Sequence, residues 1–185
     1  MSDTHVIIEG RVSFPHLFRK PMINGEEGSH GAVVFFDRTT AAGKKQAAKL
    51  EKVIDAVVTN KFKGKKPPAA RLFFRDGDES GRDEWSGVWC VHANNPGRPI
   101  VVADDGASVI ANEEDCKIYS GCKVRAKIDI WAQDNNYGKR VNAKLLSIQF
   151  LGDGEALDAG HVSVEDAISG FGDVTELDDD MSDLE

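Results

Sequence analysis

From Lys123 to Ala132 the chain alternates without a break. Val124, Ala126, Ile128, Ile130 and Ala132 are apolar, while Lys123, Arg125, Lys127 and Trp131 share the other register with Asp129. A period of two over this length fits a strand with one buried face. The residues Asp134, Asn135, Asn136, Tyr137 and Gly138 tolerate positive φ and supply a hairpin turn. A second strand opens with Lys139, Arg140, Val141, Asn142, Ala143 and Lys144 and runs to Leu151. The pair has a core face and a basic face that carries a ring, a surface suited to something anionic and flat.

The rest of the chain supplies elements to pack against this hairpin. Thr4 to Phe14 reads as a first strand, with Val6, Ile8, Val12 and Phe14 on one side and Pro15 ending it. The loop that follows carries Phe18, Arg19 and Lys20 as ligand-contact candidates. The apolar run Gly31 to Asp37 suits a strand buried on both faces. From Ala41 to Asn60 the period changes, and Ala47, Leu50, Ile54, Val57 and Val58 fall at helical spacing beneath a solvated lysine face. Trp85 to Ala93 alternates again, with Trp85, Gly87, Trp89 and Val91 on one face and Val88, Cys90 and His92 on the other. Arg98 to Ala103 is a further short strand, and Ala107 to Gly121 is irregular. The expected fold is mainly β with one amphipathic helix.

Charge divides the chain more sharply than its net value of −8 suggests. Twelve of the 31 acids and none of the 23 bases lie between Gly152 and Glu185. The body before it is therefore mildly basic, a polarity typical of nucleic-acid binders with an acidic tail. The tail also has too few apolar residues to offset its ordering entropy, so disorder is expected there. The division expected is a folded domain over residues 1–151 and an acidic tail over 152–185.

The stretch Lys61 to Arg75 holds Lys61, Lys63, Lys65, Lys66, Arg71 and Arg75, no acid, and the rings Phe62, Phe73 and Phe74. Cations can meet phosphates while rings stack on bases, so a flexible anionic strand would find both partners here. Packing of Phe73 and Phe74 into the core is the competing account. Asp76, Asp78, Ser80 and Gly81 match the start of a calcium loop, but its twelfth position falls on Gly87, so a polar turn is the better reading and no metal is expected. Cys90, Cys116 and Cys122 are an odd number without a CxxC pair and read as free thiols. The five histidines stand apart without metal-ligand spacing.

Four motifs in order carry a family resemblance: Phe14-Pro15-His16-Leu17-Phe18, Arg75-Asp76-Gly77-Asp78-Glu79, Arg98-Pro99 before Ile100-Val101-Val102, and Tyr119-Ser120-Gly121. Over residues 5–151 the chain resembles the single-stranded DNA-binding proteins of tailed phages. More closely, it resembles the bacteriophage family first catalogued as a domain of unknown function and later recognised as OB-fold DNA-binding proteins. The resemblance implies an OB-type barrel, elaborated because the helix comes after the second strand. The tail resembles the acidic tip of replication-associated single-strand binders. It departs from them by ending Leu184-Glu185 instead of an aromatic residue, with Phe171 internal.

These readings converge on sequence-tolerant binding of single-stranded DNA, without chemistry or cofactor. Lys123, Arg125, Lys127, Lys139, Arg140 and Lys144 would meet phosphates, with Lys63, Lys65, Arg71 and Arg75 on a second wall. Trp131, Tyr137, Phe73 and one of Trp85 or Trp89 would stack bases, and Gly87 would let a base approach. The tail is expected to compete for the basic face and to recruit replication or recombination proteins. An open groove also admits double-stranded DNA or RNA. The alternatives are a metal-dependent nuclease using Asp76, Asp78 and Asp83, and a virion structural protein. No apolar run or leader suggests a membrane, so a cytoplasmic monomer or weak homo-oligomer is expected.

Overall fold

The computed structural model describes residues 3–157 and 168–170. The first strand, β1 (His5–His16), buries Val6, Ile8 and Val12. It runs past Pro15 instead of ending there. Its register against the next long strand shifts between Ser13 and His16, and Phe14 takes φ 52°. That bulge turns Phe14 out of the row formed by Val6, Ile8 and Val12, where strict alternation had placed it. A small hairpin, β2 (Met22–Ile23) and β3 (Glu26–Glu27), leads into β4 (His30–Asp37). As its unbroken apolar run requires, β4 is buried on both faces: Ala32, Val34 and Phe36 enter the main core, while Val33 and Phe35 join a second cluster with Trp85 and Cys90.

Helix α1 (Ala41–Phe62) begins where the Thr40 hydroxyl accepts from the Gly43 N–H at 3.0 Å, and it ends at Lys63, whose φ of 53° is left-handed. It runs two residues beyond the expected end, because Phe62 supplies one more buried turn. Leu50, Ile54, Val57, Val58 and Phe62 form its buried stripe, packed against the chain's last two strands.

Past a 3-10 turn (Ala69–Arg71) come β5 (Phe74–Asp76), two more 3-10 turns (Gly77–Ser80 and Asp83–Trp85), and β6 (Val88–Asn95). Trp85 therefore lies before the strand, and Gly87, with φ 72°, separates them. The two tryptophans do not share a strand face. Trp89 packs beside Phe74 in the main core, with centroids 4.9 Å apart, whereas Trp85 covers Cys90 and His92 on the opposite face. The last strands are β7 (Ile100–Val102), β8 (Lys123–Asn135) and β9 (Gly138–Gly152).

Strands β8 and β9 form the long hairpin, joined by the two-residue turn Asn136–Tyr137. Val124, Ala126, Ile128 and Ile130 are buried as the alternation requires. Pairings run β6-β4-β1-β8-β9, and a short parallel contact of β6 with β9 (Ala93 opposite Ala143, Asn94 opposite Lys144) closes the circle. The result is a five-stranded OB-like barrel with β5 and β7 added at its margins. The closing seam is reinforced twice. Asn95 donates its side-chain amide to the Leu145 carbonyl at 2.9 Å. Where β6 and β9 diverge, Phe73 donates its N–H to Val141 (3.0 Å) and accepts from the His92 N–H (2.9 Å).

The residues after β9 return to the barrel. Tyr119 accepts from the Gly154 N–H at 3.0 Å, Arg11 donates to the Glu155 carbonyl at 2.7 Å, and Leu157 packs against the second cluster, that of Val33, Phe35, Trp85 and Cys90. Gly121, with φ 108°, lies so close beneath the Glu155 carbonyl that no side chain fits. Most of the acidic stretch, for which disorder is expected, lies outside the described residues. The three cysteines are free, and burial pushes the Cys90 thiol up to about 12. No helix among the described residues is long and apolar enough to cross a membrane.

Candidate nucleic-acid interface

A groove of about 610 Å³ opens over the barrel seam. One side comes from the long hairpin. Trp131 lies opposite Asn142, with the Gln133–Arg140 pair on one side of it and the Asp129–Lys144 pair on the other, and alternation aims this whole row outward. The Trp131 ring is 44% exposed, a large apolar surface held between two cations instead of in the core. Asp129 is engaged by the Thr4 hydroxyl at 2.6 Å.

The other side is the segment that staples the seam. Phe73 is fixed between β6 and β9, so Arg71 and Arg75 are delivered to the groove on either side of it. Arg75 is anchored by donating to the Leu72 carbonyl at 2.8 Å and to Ala70 at 3.1 Å. Arg71 has no ion pair among the described residues, and its guanidinium lies against Gly138. Four cations and one carboxylate thus line the groove, a positive field for an anionic chain.

His92, Asn94, Asn142 and Ser29 add uncharged polar groups to the lining. Burial, together with the neighbouring Arg75 charge, lowers the His92 imidazole to about 4. These polar residues were not singled out from sequence, although Asn94 and His92 alternate on β6 and Asn142 shares the outward register of Arg140 and Lys144.

The structure therefore brings Arg71, Phe73, Arg75, Trp131, Arg140 and Lys144 together and sets the other candidates apart. Phe73 is a buried wall, with its face available only at the groove margin. Arg125 and Lys127 line a separate hollow that also contains Asp104 and Asp105. Arg125 is paired with Glu9 at 2.6 Å, so part of the basic face is neutralised internally. Lys123 is at the far end of β8, opposite Gly152. Lys139 leans over the Phe62 ring at 5.5 Å. Lys63 and Lys65 follow the helix and are exposed outside the groove lining. Tyr137, at the hairpin tip, is 82% exposed and projects freely.

Neither Trp85 nor Trp89 offers an open stacking floor. Trp85 is only 5% exposed, and Trp89 is partly buried against Phe74. Buried ring area is too valuable to the small core to leave them free. In the early loop, Arg98 covers Phe18 at 4.4 Å and Arg19 pairs with Glu113 at 3.0 Å. Two of the three carboxylates of the nuclease alternative are committed to structure: Arg38 binds Asp76 at 2.6 Å and also binds Asp78, which accepts the Gly87 N–H as well. Among the described residues, no cluster of His, Cys, Asp or Glu side chains is arranged to hold a metal.

Residues 4–182 match the family model described as the ssDNA-binding protein of Enterobacter phage Enc34. The chain is 31% identical over 172 residues to a protein designated p50 of Acyrthosiphon pisum secondary endosymbiont phage 1, covering 84% of this chain and 88% of that one. Its fold superposes on the single-stranded DNA-binding protein of bacteriophage Enc34, solved in complex with ssDNA, with TM-score 0.74 and 28% identity, covering 84% of this chain and 90% of that one. It also shares its fold with gp2.5 of bacteriophage T7, at TM-score 0.51 and 17% identity, covering 88% and 99% of the respective chains.

Proposed function

Because the chain belongs to the family of the ssDNA-binding protein of Enterobacter phage Enc34, we propose that it binds single-stranded DNA in the groove over the barrel seam. The observation that carries this reading is the placement of Trp131: a half-exposed ring between Arg140 and Lys144, facing Arg71 across the groove. A base stacks on the indole while successive phosphates meet the flanking cations. Arg71, Arg140 and Lys144 supply charge to phosphates, which every sequence presents alike, and an indole stacks on any base, which favours binding that tolerates any sequence. The protein holds DNA without altering it.

The setting we infer is phage DNA replication, recombination or repair, where exposed single strands need cover. The acidic stretch competes with DNA for the groove and, once displaced, recruits replication or recombination proteins. Its root at Leu157 is fastened to the barrel, which keeps the local concentration of acids near the groove high.

Fluorescence anisotropy with one labelled oligonucleotide, presented single-stranded and then annealed, tests the reading. Binding of the single strand, weakened by salt and preferred over duplex, is expected. No shift with either form would favour a virion structural role instead.

A further inference from the structure

Phe14 is unusual in two ways. Its backbone is left-handed, with φ 52°, a conformation that strains a bulky residue, and its ring nevertheless leaves 41% of its surface in water. Packing alone does not account for a strained aromatic residue that buries so little. The bulge between Ser13 and His16 turns the side chain onto the barrel's outer face, where it meets Trp85 edge to face with centroids 6.2 Å apart. The Arg82 guanidinium lies 4.6 Å from the Phe14 centroid and 5.3 Å from that of Trp85. Trp85 in turn meets His92 edge-on at 5.6 Å, and His92 lines the groove. A continuous row of rings therefore leads from the groove to an exposed ring carrying a cation.

We propose that Phe14 and Arg82 form a second nucleotide contact, taking DNA as it leaves the groove past His92. The base stacks on Phe14, and Arg82 turns from the ring to the adjoining phosphate. Glu84, 3.5 Å from the Arg82 guanidinium, gives way to that phosphate. This inference rests on the groove being the primary single-strand site.

The test compares the shortest oligothymidine held by the wild-type chain with one of about sixteen nucleotides, near the upper site size for such barrels. Phe14→Asn removes the ring while suiting the left-handed backbone, and Phe14→His suits it while keeping a ring. Phe14→Asn is expected to weaken binding of the longer strand by about tenfold and to leave the shorter unchanged, with Phe14→His recovering most of the loss. Arg82→Ala should make the salt slope for the longer strand shallower by about 0.7. Equal weakening at both lengths, or none at either, overturns the second contact and leaves the groove standing. A wild-type chain that binds neither strand overturns both.

Discussion

The guanidinium of Arg71 lies against the backbone of Gly138, so the turn of the long hairpin and the segment that staples the barrel meet at one point of the groove wall. With φ 98°, Gly138 holds a conformation that any side chain would strain, and a methyl group there would collide with Arg71.

Gly138→Ala is accordingly expected to cost about 1–2 kcal/mol of stability and to displace Arg71. Its salt slope for single-stranded DNA should fall by about 0.7, the same as for Arg71→Ala, which loses one phosphate contact directly. Anisotropy titrations across a salt series measure both. A slope unchanged in Arg71→Ala would remove that residue from the phosphate path.

The tryptophans should separate by experiment as they do in space. Trp131→Ala should weaken single-strand binding by the equivalent of about 1–3 kcal/mol, with Trp131→Phe retaining most of it. Trp85→Ala, by contrast, should cost about 3–5 kcal/mol of folding stability, because it vacates a buried site. Thermal melts beside binding isotherms distinguish the two effects. A Trp131→Ala variant with wild-type affinity contradicts the stacking role.

His92 gives stability an acid dependence. Its folded value is about 4, below the ordinary 6.5, so the unfolded chain takes up the proton first as pH falls. Its contribution is therefore fully present above about pH 6.5 and is lost progressively down to about pH 4. Melting temperatures at pH 7, 5.5 and 4.5 should decline less steeply in His92→Asn than in the wild type, once each is referred to its own value at pH 7. Parallel declines would mean that other groups carry the effect.

Truncation after Leu157 should tighten single-strand binding at low salt, and the gain should vanish as salt screens the competing acids. Cutting at Leu157 preserves the contacts of Gly154, Glu155 and Leu157 with the barrel. Equal affinities for the full and shortened chains at low salt would argue against competition by the acidic stretch.

The barrel was legible where burial had one solution. Alternation set the faces of the long hairpin, and the unbroken apolar run of β4 announced a strand covered on both sides. Local exceptions broke the pattern. A left-handed Phe14 rotates the end of β1, and Gly87 detaches Trp85 from the strand that its spacing suggested. The site was half legible for a related reason. Composition marks Arg71 and Arg125 alike as cations, but only a three-dimensional register reveals that Glu9 neutralises Arg125 while Arg71 is delivered to the groove by the backbone bonds of Phe73. His92 and Asn94 escaped notice because a groove between distant strands leaves little mark on either strand alone.

The barrel closes through a short contact, Ala93 with Ala143 and Asn94 with Lys144, and the groove lies directly over that join. On the proposed function, a strand of DNA held between Arg71 on one bank and Arg140 on the other would act as an external suture across the shortest ladder of the cylinder. Ligand affinity and resistance to unfolding are then coupled at the same place, and a chain loaded with DNA gains its protection first at the amides of Phe73 and His92.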